Sequence, residues 1–104
     1  MQMRELTPHE TEAVKVFRAL GDPTRFRVVQ MLVENDELGC GDFQAAFRLS
    51  PPAMSHHFRI LQECNLLVMR KEGAFHYFRL HRERLERLLP GFTDILNNER
   101  AASR

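Results

Sequence analysis

Apolar residues recur along the first half of the chain at spacings of three and four, the period of a helix that buries one face. Ala13, Val14, Phe17 and Leu20 form the first stripe, opened by Thr7-Pro8 (a capping hydroxyl, then proline at the first helical position) and closed by Gly21. Asp22-Pro23 repeats the opening signal, and Phe26, Val29, Leu32 and Val33 carry a second stripe as far as Asn35. Asn35 to Gly39 reads as a loop. Gly41-Asp42 then opens a helix of barely two turns that holds Phe43, Ala46 and Phe47 inward. Ser50, a capping residue ahead of Pro51, starts the next helix, over about Pro51 to Cys64, soon after the short one stops. Two short helices across a turn of three or four residues form a helix-turn-helix.

Beyond Cys64 the pattern becomes strand-like. Leu66 to Glu72 and Phe75 to Leu80 are β-prone runs hinged at Glu72-Gly73-Ala74, where Gly73 supplies the positive φ of a tight hairpin. A last helix is predicted from about Arg82, with Leu85, Leu88, Leu89, Phe92, Ile95 and Leu96 on one stripe and Pro90-Gly91 as the place to bend. The fold expected is mainly α with a small β-hairpin, a winged helix-turn-helix in the order helix, helix, short helix, capped helix, hairpin, last helix. Residues 1–97 are expected to form one domain, with 98–104 a frayed polar tail.

The Pro51 to Cys64 helix has two distinct faces. With Met54 at zero and about 100° per residue, Phe58 and Leu61 share its stripe, whereas Pro52, Ser55, His56 and Arg59 fall between about 100° and 200°. Small side chains, hydroxyl, imidazole and guanidinium suit a major groove, where close approach and contacts to base edges or phosphates are needed. An ordinary amphipathic surface helix would show the same face. His57, near 300°, lies at the edge of the core stripe and is expected to be buried or to pack on the hairpin. The last helix carries more large apolar residues than a winged core has room for. Val14, Phe17, Leu85, Leu88, Leu89, Phe92 and Ile95 are therefore candidates for a dimer interface, with a last helix folded back on its own subunit as the alternative.

The chain of 104 residues, 43% hydrophobic and 28% charged, has the balance of a single globular domain, and no apolar run approaches a membrane span, so a cytoplasmic protein is expected. A net charge of +1 hides a local excess. Between Arg48 and Arg82 stand Arg48, Arg59, Arg70, Lys71, Arg79 and Arg82 against only Glu63 and Glu72. Arg70 and Lys71 lie beside the hairpin tip, where a wing would meet a phosphate backbone.

The run Phe17-Arg18-Ala19-Leu20-Gly21-Asp22-Pro23-Thr24-Arg25-Phe26-Arg27, then Leu49-Ser50 with Met54-Ser55-His56-His57-Phe58-Arg59-Ile60-Leu61, then Arg70-Lys71-Glu72-Gly73 with Tyr77-Phe78-Arg79-Leu80, together resemble the ArsR/SmtB family of winged-helix repressors. The resemblance covers about Val16 to Leu80. It implies a homodimer paired through first and last helices, each subunit placing its Pro51 to Cys64 helix in a major groove of a palindromic double-stranded operator. Ser55 and His56 match the family's Ser-His pair and Arg59 the polar or basic position after it. Pro52 and Ala53 stand in the same DNA-facing stretch where relatives are often polar.

The family's sensory chemistry is not matched. Its Cys-Val-Cys site corresponds here to Leu38-Gly39-Cys40-Gly41-Asp42, and one thiolate cannot supply three or four ligands to a soft metal. A second family site needs histidine along the last helix, yet none follows His81. No metal or other cofactor is therefore expected. Cys40 and Cys64, the only two cysteines, raise the question of a redox switch, since oxidation at the end of the DNA-reading helix would displace it. Against this, Cys64 stands where a small core residue would serve. Catalysis finds no support, because His56, His57, His76 and His81 lack metalloprotease spacing and no phosphate loop or nucleophile elbow is present. The rival to a DNA-binding regulator is a winged helix reused as a protein-interaction module. The basic, sparsely acidic segment favours DNA.

Overall fold

The computed structural model describes residues 4–102. Helices α1 (Pro8–Leu20) and α2 (Pro23–Glu34) lead through strand β1 (Leu38–Gly39) into α3 (Cys40–Ala46) and α4 (Pro51–Glu63). The hairpin β2 (Leu67–Glu72) and β3 (Phe75–Leu80) follows, then α5 (Arg82–Leu88) and α6 (Phe92–Ala102). This is the mainly α winged helix-turn-helix that the pattern predicts.

The start signals act as expected. Thr7 accepts from the Glu10 amide at 3.1 Å while the Glu10 carboxylate accepts from the Thr7 amide at 2.8 Å, a reciprocal cap. Asp22 accepts from the Arg25 amide at 3.1 Å and Ser50 from the Ala53 amide at 3.3 Å. Each cap contributes about 1 kcal/mol to its helix.

Three features differ from the expectation. The loop before α3 contains a strand, β1, which pairs antiparallel with β3 (Leu38 opposite Phe78, Gly39 opposite Tyr77), so the sheet has three strands in the order β1-β3-β2. Two residues are too few to show a period, and a Cβ on Gly39 would stand only 3.3 Å from the Tyr77 ring. The last helix is broken rather than bent. Pro90 cannot continue the amide ladder, Leu89 leaves helical geometry at φ −132°, and Gly91 takes φ +83° before α6 begins. Finally, α6 runs through Ala102, across most of the segment expected to fray.

In α1, Val16, Ala19 and Leu20 face inward, while Phe17 is 58% exposed, so the expected stripe is split between a core flank and an outer flank. The centre of the core is aromatic. Phe43 is fully buried, meeting Phe58 edge-on at 5.1 Å between centroids and Phe78 at 6.3 Å, while Phe58 stacks on Phe78 at 4.4 Å. These three rings join both helices of the helix-turn-helix to the hairpin, which fixes α4 relative to the wing. Phe43→Ala should therefore cost about 3–5 kcal/mol of unfolding free energy. Guanidinium titration checks it, and a loss below about 1 kcal/mol would mean that the trio is not what joins these elements.

Candidate nucleic-acid interface

Helix α4 buries Met54, Phe58 and Leu61 and turns Pro52, Ser55, His56 and Arg59 to solvent, with Ala53 half-buried at their margin. Among the described residues the side chains of Ser55 and Arg59 make no hydrogen bond or ion pair. His56 touches only the neighbouring His57 ring, at 5.7 Å between centroids. Arg48, also exposed, stands in the turn that leads into this helix. The outward face thus offers donors and a charge with their hydrogen-bonding capacity unspent.

The wing divides the two basic residues expected at its tip. Strand alternation and the register put Leu67, Met69 and Lys71 on the face shared with Leu80, Phe78 and His76, the face on which Phe58 of α4 packs. Arg70 is on the reverse face. Its Nε and Nη2 donate to the Glu37 carboxylate at 3.0 and 2.7 Å, its Nη1 to Glu72 at 2.7 Å, and its guanidinium lies 4.5 Å from the Tyr77 ring centre. These contacts hold the Glu37 carboxyl below its usual range. The wing contact to DNA expected of Arg70 thus competes with two carboxylates that already take its donors, and its side chain is on the face away from α4. Lys71, on the α4 side of the wing, makes no hydrogen bond or ion pair among the described residues.

Three arginines that the hydrophobic pattern does not mark hold α4 and its neighbours in place. Arg25, on α2, donates through Nε to the Ala19 carbonyl at 2.6 Å and through Nη2 to the Arg18 carbonyl at 3.4 Å, closing the end of α1. Its Nη1 lies 3.2 Å from His57 Nδ1 on α4. Arg84, on α5, donates to the Cys64 carbonyl at the end of α4 (2.9 Å) and to Glu12 of α1 (2.6 Å), which with Lys15 keeps the Glu12 carboxyl below its ordinary value. Arg82 closes α2 through the Leu32 and Val33 carbonyls at 2.9 and 3.0 Å. So Arg82 joins Arg70 among the cations of the basic segment that are consumed internally. His57 packs on α2, not on the hairpin, with Asp22 Oδ2 3.7 Å from the same Nδ1.

The residues expected at a dimer interface divide too. Leu85 is fully buried within one subunit and Leu88 is 8% exposed, which corrects their assignment, because neither has surface left to offer a partner. Phe92 meets Phe26 edge-on at 6.1 Å, and it remains half-buried along with Val14 and Leu89. Of the residues expected at the interface, Phe17 and Ile95 are the exposed ones, at 58% and 57%. Cys64 is buried and its thiol donates to the Leu61 carbonyl, whereas Cys40 is half-buried. Burial pushes both thiols up, away from the thiolate that oxidation requires, and this weakens the redox reading. Among the described residues no group of three or more His, Cys, Asp or Glu is placed to hold a metal, and no helix is long and apolar enough to cross a membrane.

A helix-turn-helix followed by a β-hairpin wing is the architecture of DNA-binding transcriptional regulators, and the relatives bear that class out. The model of a helix-turn-helix domain matches residues 20–70. The chain is 30% identical over 82 residues to the transcriptional repressor SdpR of Bacillus subtilis, covering 79% of this chain and 90% of that one. It is 30% identical over 86 residues to the arsenical resistance operon repressor of Staphylococcus xylosus, covering 83% and 81%. The solved structure of HlyU from Vibrio cholerae superposes with a TM-score of 0.68 at 27% identity, over 81% of this chain and 98% of that one. The chain belongs to the ArsR family of winged-helix transcriptional regulators.

Burial lowers the affinity of His57 for a proton, Arg25 and His56 add to this, and Asp22 opposes it. A depressed histidine contributes stability that is complete above its ordinary value of 6.5 and is lost as pH falls toward the lower value it has in the folded protein. The thermal midpoint should thus fall between about pH 6.5 and pH 5, before the carboxylates titrate. His57→Asn, whose Oδ1 still accepts from Arg25, should flatten that slope. An unchanged slope would assign it to another group.

Proposed function

We propose that the protein is a homodimeric repressor that occupies a palindromic operator in the cytoplasm and is released by a signal. The outward face of α4 carries this reading: Ser55, His56 and Arg59 are exposed, and Ser55 and Arg59 have no partner among the described residues. In this role His56 and Ser55 read base edges, Arg59 and Lys71 neutralise phosphates, and Pro52 and Ala53 keep the helix close to the groove floor. Dimerisation is supported by the exposed Phe17 and Ile95, on the first and last helices, with Val14, Leu89 and Phe92 as half-buried neighbours. Pairing two subunits aligns two α4 helices with half-sites about one helical turn apart, which neither subunit specifies alone.

Selection from a pool of random duplexes at two salt concentrations tests the reading. The expected result is an enriched palindrome, bound by a dimer, whose affinity falls steeply with salt. Lys71→Ala should lower the slope of log affinity against log salt by about 0.9, the release of one counterion, and Arg59→Ala should do the same. Arg70→Ala should leave that slope unchanged, because its charge is already matched by Glu37 and Glu72. His56→Ala should change base preference. No enriched sequence, and binding that is weak even at low salt, would favour a protein-interaction module.

A further inference from the structure

A cavity of about 480 Å³ opens between α1 and α4, behind the DNA-facing side of α4. Its floor is apolar, made by Ala19, Ile60 and Cys64, and its rim carries Lys15, Arg18 and Arg25, with Glu63 as the one carboxylate. This volume lies within the range of small-molecule sites, roughly 300–1,000 Å³, and an apolar floor under a few convergent charges is how such sites are built. Lys15 is paired with Glu12 at 3.3 Å, so Arg18 and Arg25 face Glu63, and this excess of positive charge selects an anion. We propose that this cavity binds a small organic anion, a carboxylate on an apolar body, and that its binding releases the protein from DNA.

The coupling runs through Arg25, one of the rim residues. Its guanidinium spans the Arg18 and Ala19 carbonyls of α1 and His57 of α4. The contacts of Nη1 and Nη2, at 3.2 and 3.4 Å, are long beside that of Nε at 2.6 Å. A carboxylate accepting from both terminal nitrogens forms the stronger, charge-assisted pair and takes Nη1 from His57. Helix α4 then loses its Arg25 tie at the His57 flank and keeps only Arg84 at its end and the aromatic rings beneath it, so it shifts relative to the dimer axis. The Arg18 side chain, exposed and without an ion pair, supplies the second charge for the head group. In a dimer built on Phe17, Lys15 and Ala19 stand about 160° from it around α1 and Arg18 about 100°, which leaves the floor and the Lys15 rim open.

The proposal rests on the DNA-binding reading for its effect but not for its ligand, so the two are measured separately. Benzoate is the probe and benzyl alcohol its uncharged counterpart, each titrated into the ¹⁵N-labelled full chain. Saturable amide shifts are expected at Ala19 and Ile60 and at the Arg25 Nε–H, with a dissociation constant on the order of 1 mM or tighter. Arg18→Gln, an exposed change outside the core, should weaken binding about tenfold. Benzyl alcohol should produce no such shifts. Saturating benzoate should raise the operator dissociation constant at least about fivefold, and Arg18→Gln should restore tight binding at the same benzoate concentration. Absence of saturable shifts, or equal shifts with benzyl alcohol, overturns the anion site. Saturable shifts with unchanged operator affinity overturn release. A protein that binds no operator even without benzoate contradicts the DNA reading instead, and the shifts alone then decide the site.

Discussion

A helix C-terminus leaves carbonyls without amide partners at the negative end of the helix dipole, and in this protein arginines from other elements close those ends. Arg25 closes α1, Arg82 closes α2, and Arg84 reaches the last turn of α4. Neither α1 nor α2 ends in a left-handed residue: Gly21 has φ −74° and Asn35 φ −130°. Helix α4 does, with Asn65 at φ +59° and the Asn65 and Leu66 amides returning to the Gln62 and Leu61 carbonyls. Where that closure is missing, a guanidinium substitutes, and because it arrives from another element it sets the angle between helices as well as satisfying carbonyls. The orientation of α4 follows from two such bonds, Arg25 at its His57 flank and Arg84 at its end, together with the Phe43, Phe58 and Phe78 rings beneath it.

The same economy decides which charges are free to meet DNA. Of the basic residues between Arg48 and Arg82, Arg70 and Arg82 are bound within the chain and Arg79 is exposed on the reverse face of the wing, near Glu37, while Arg48, Arg59 and Lys71 are exposed and make no hydrogen bond or ion pair among the described residues. Arg59 and Lys71 lie on α4 and on the wing face that α4 packs against, so two adjoining elements each offer a cation despite a net charge of only +1. A protein with so little net charge relies on where its cations point.

The elements with long periodic stripes or strong caps were legible in the sequence: Thr7-Pro8, Asp22-Pro23 and Ser50-Pro51 each open a helix, and Gly73 turns the hairpin at φ +59°. The outward face of α4 was legible from the same wheel, because one helix obeys one period. What escaped depends on partners remote in sequence. Strand β1 exists because β3 lies beside it, and Arg70 is turned to the reverse face by a register that composition does not reveal. Arg25 and Arg84 go unmarked in the sequence, since a stripe of apolar residues does not say which carbonyl a guanidinium will find. Leu85 and Leu88 count as surplus for a dimer only if the chain bends, and does not break, at Pro90-Gly91. Two separate helices turn those leucines inward and leave Ile95 outside.

The most direct test is to follow the arginine side-chain Nε–H resonances of the free protein and of its complex with a selected duplex. The account predicts that the Arg59 resonance moves on DNA binding while that of Arg70, still paired with Glu37, keeps its free position. A large shift at Arg70 with none at Arg59 would contradict it, placing the DNA on the reverse face of the wing and away from α4.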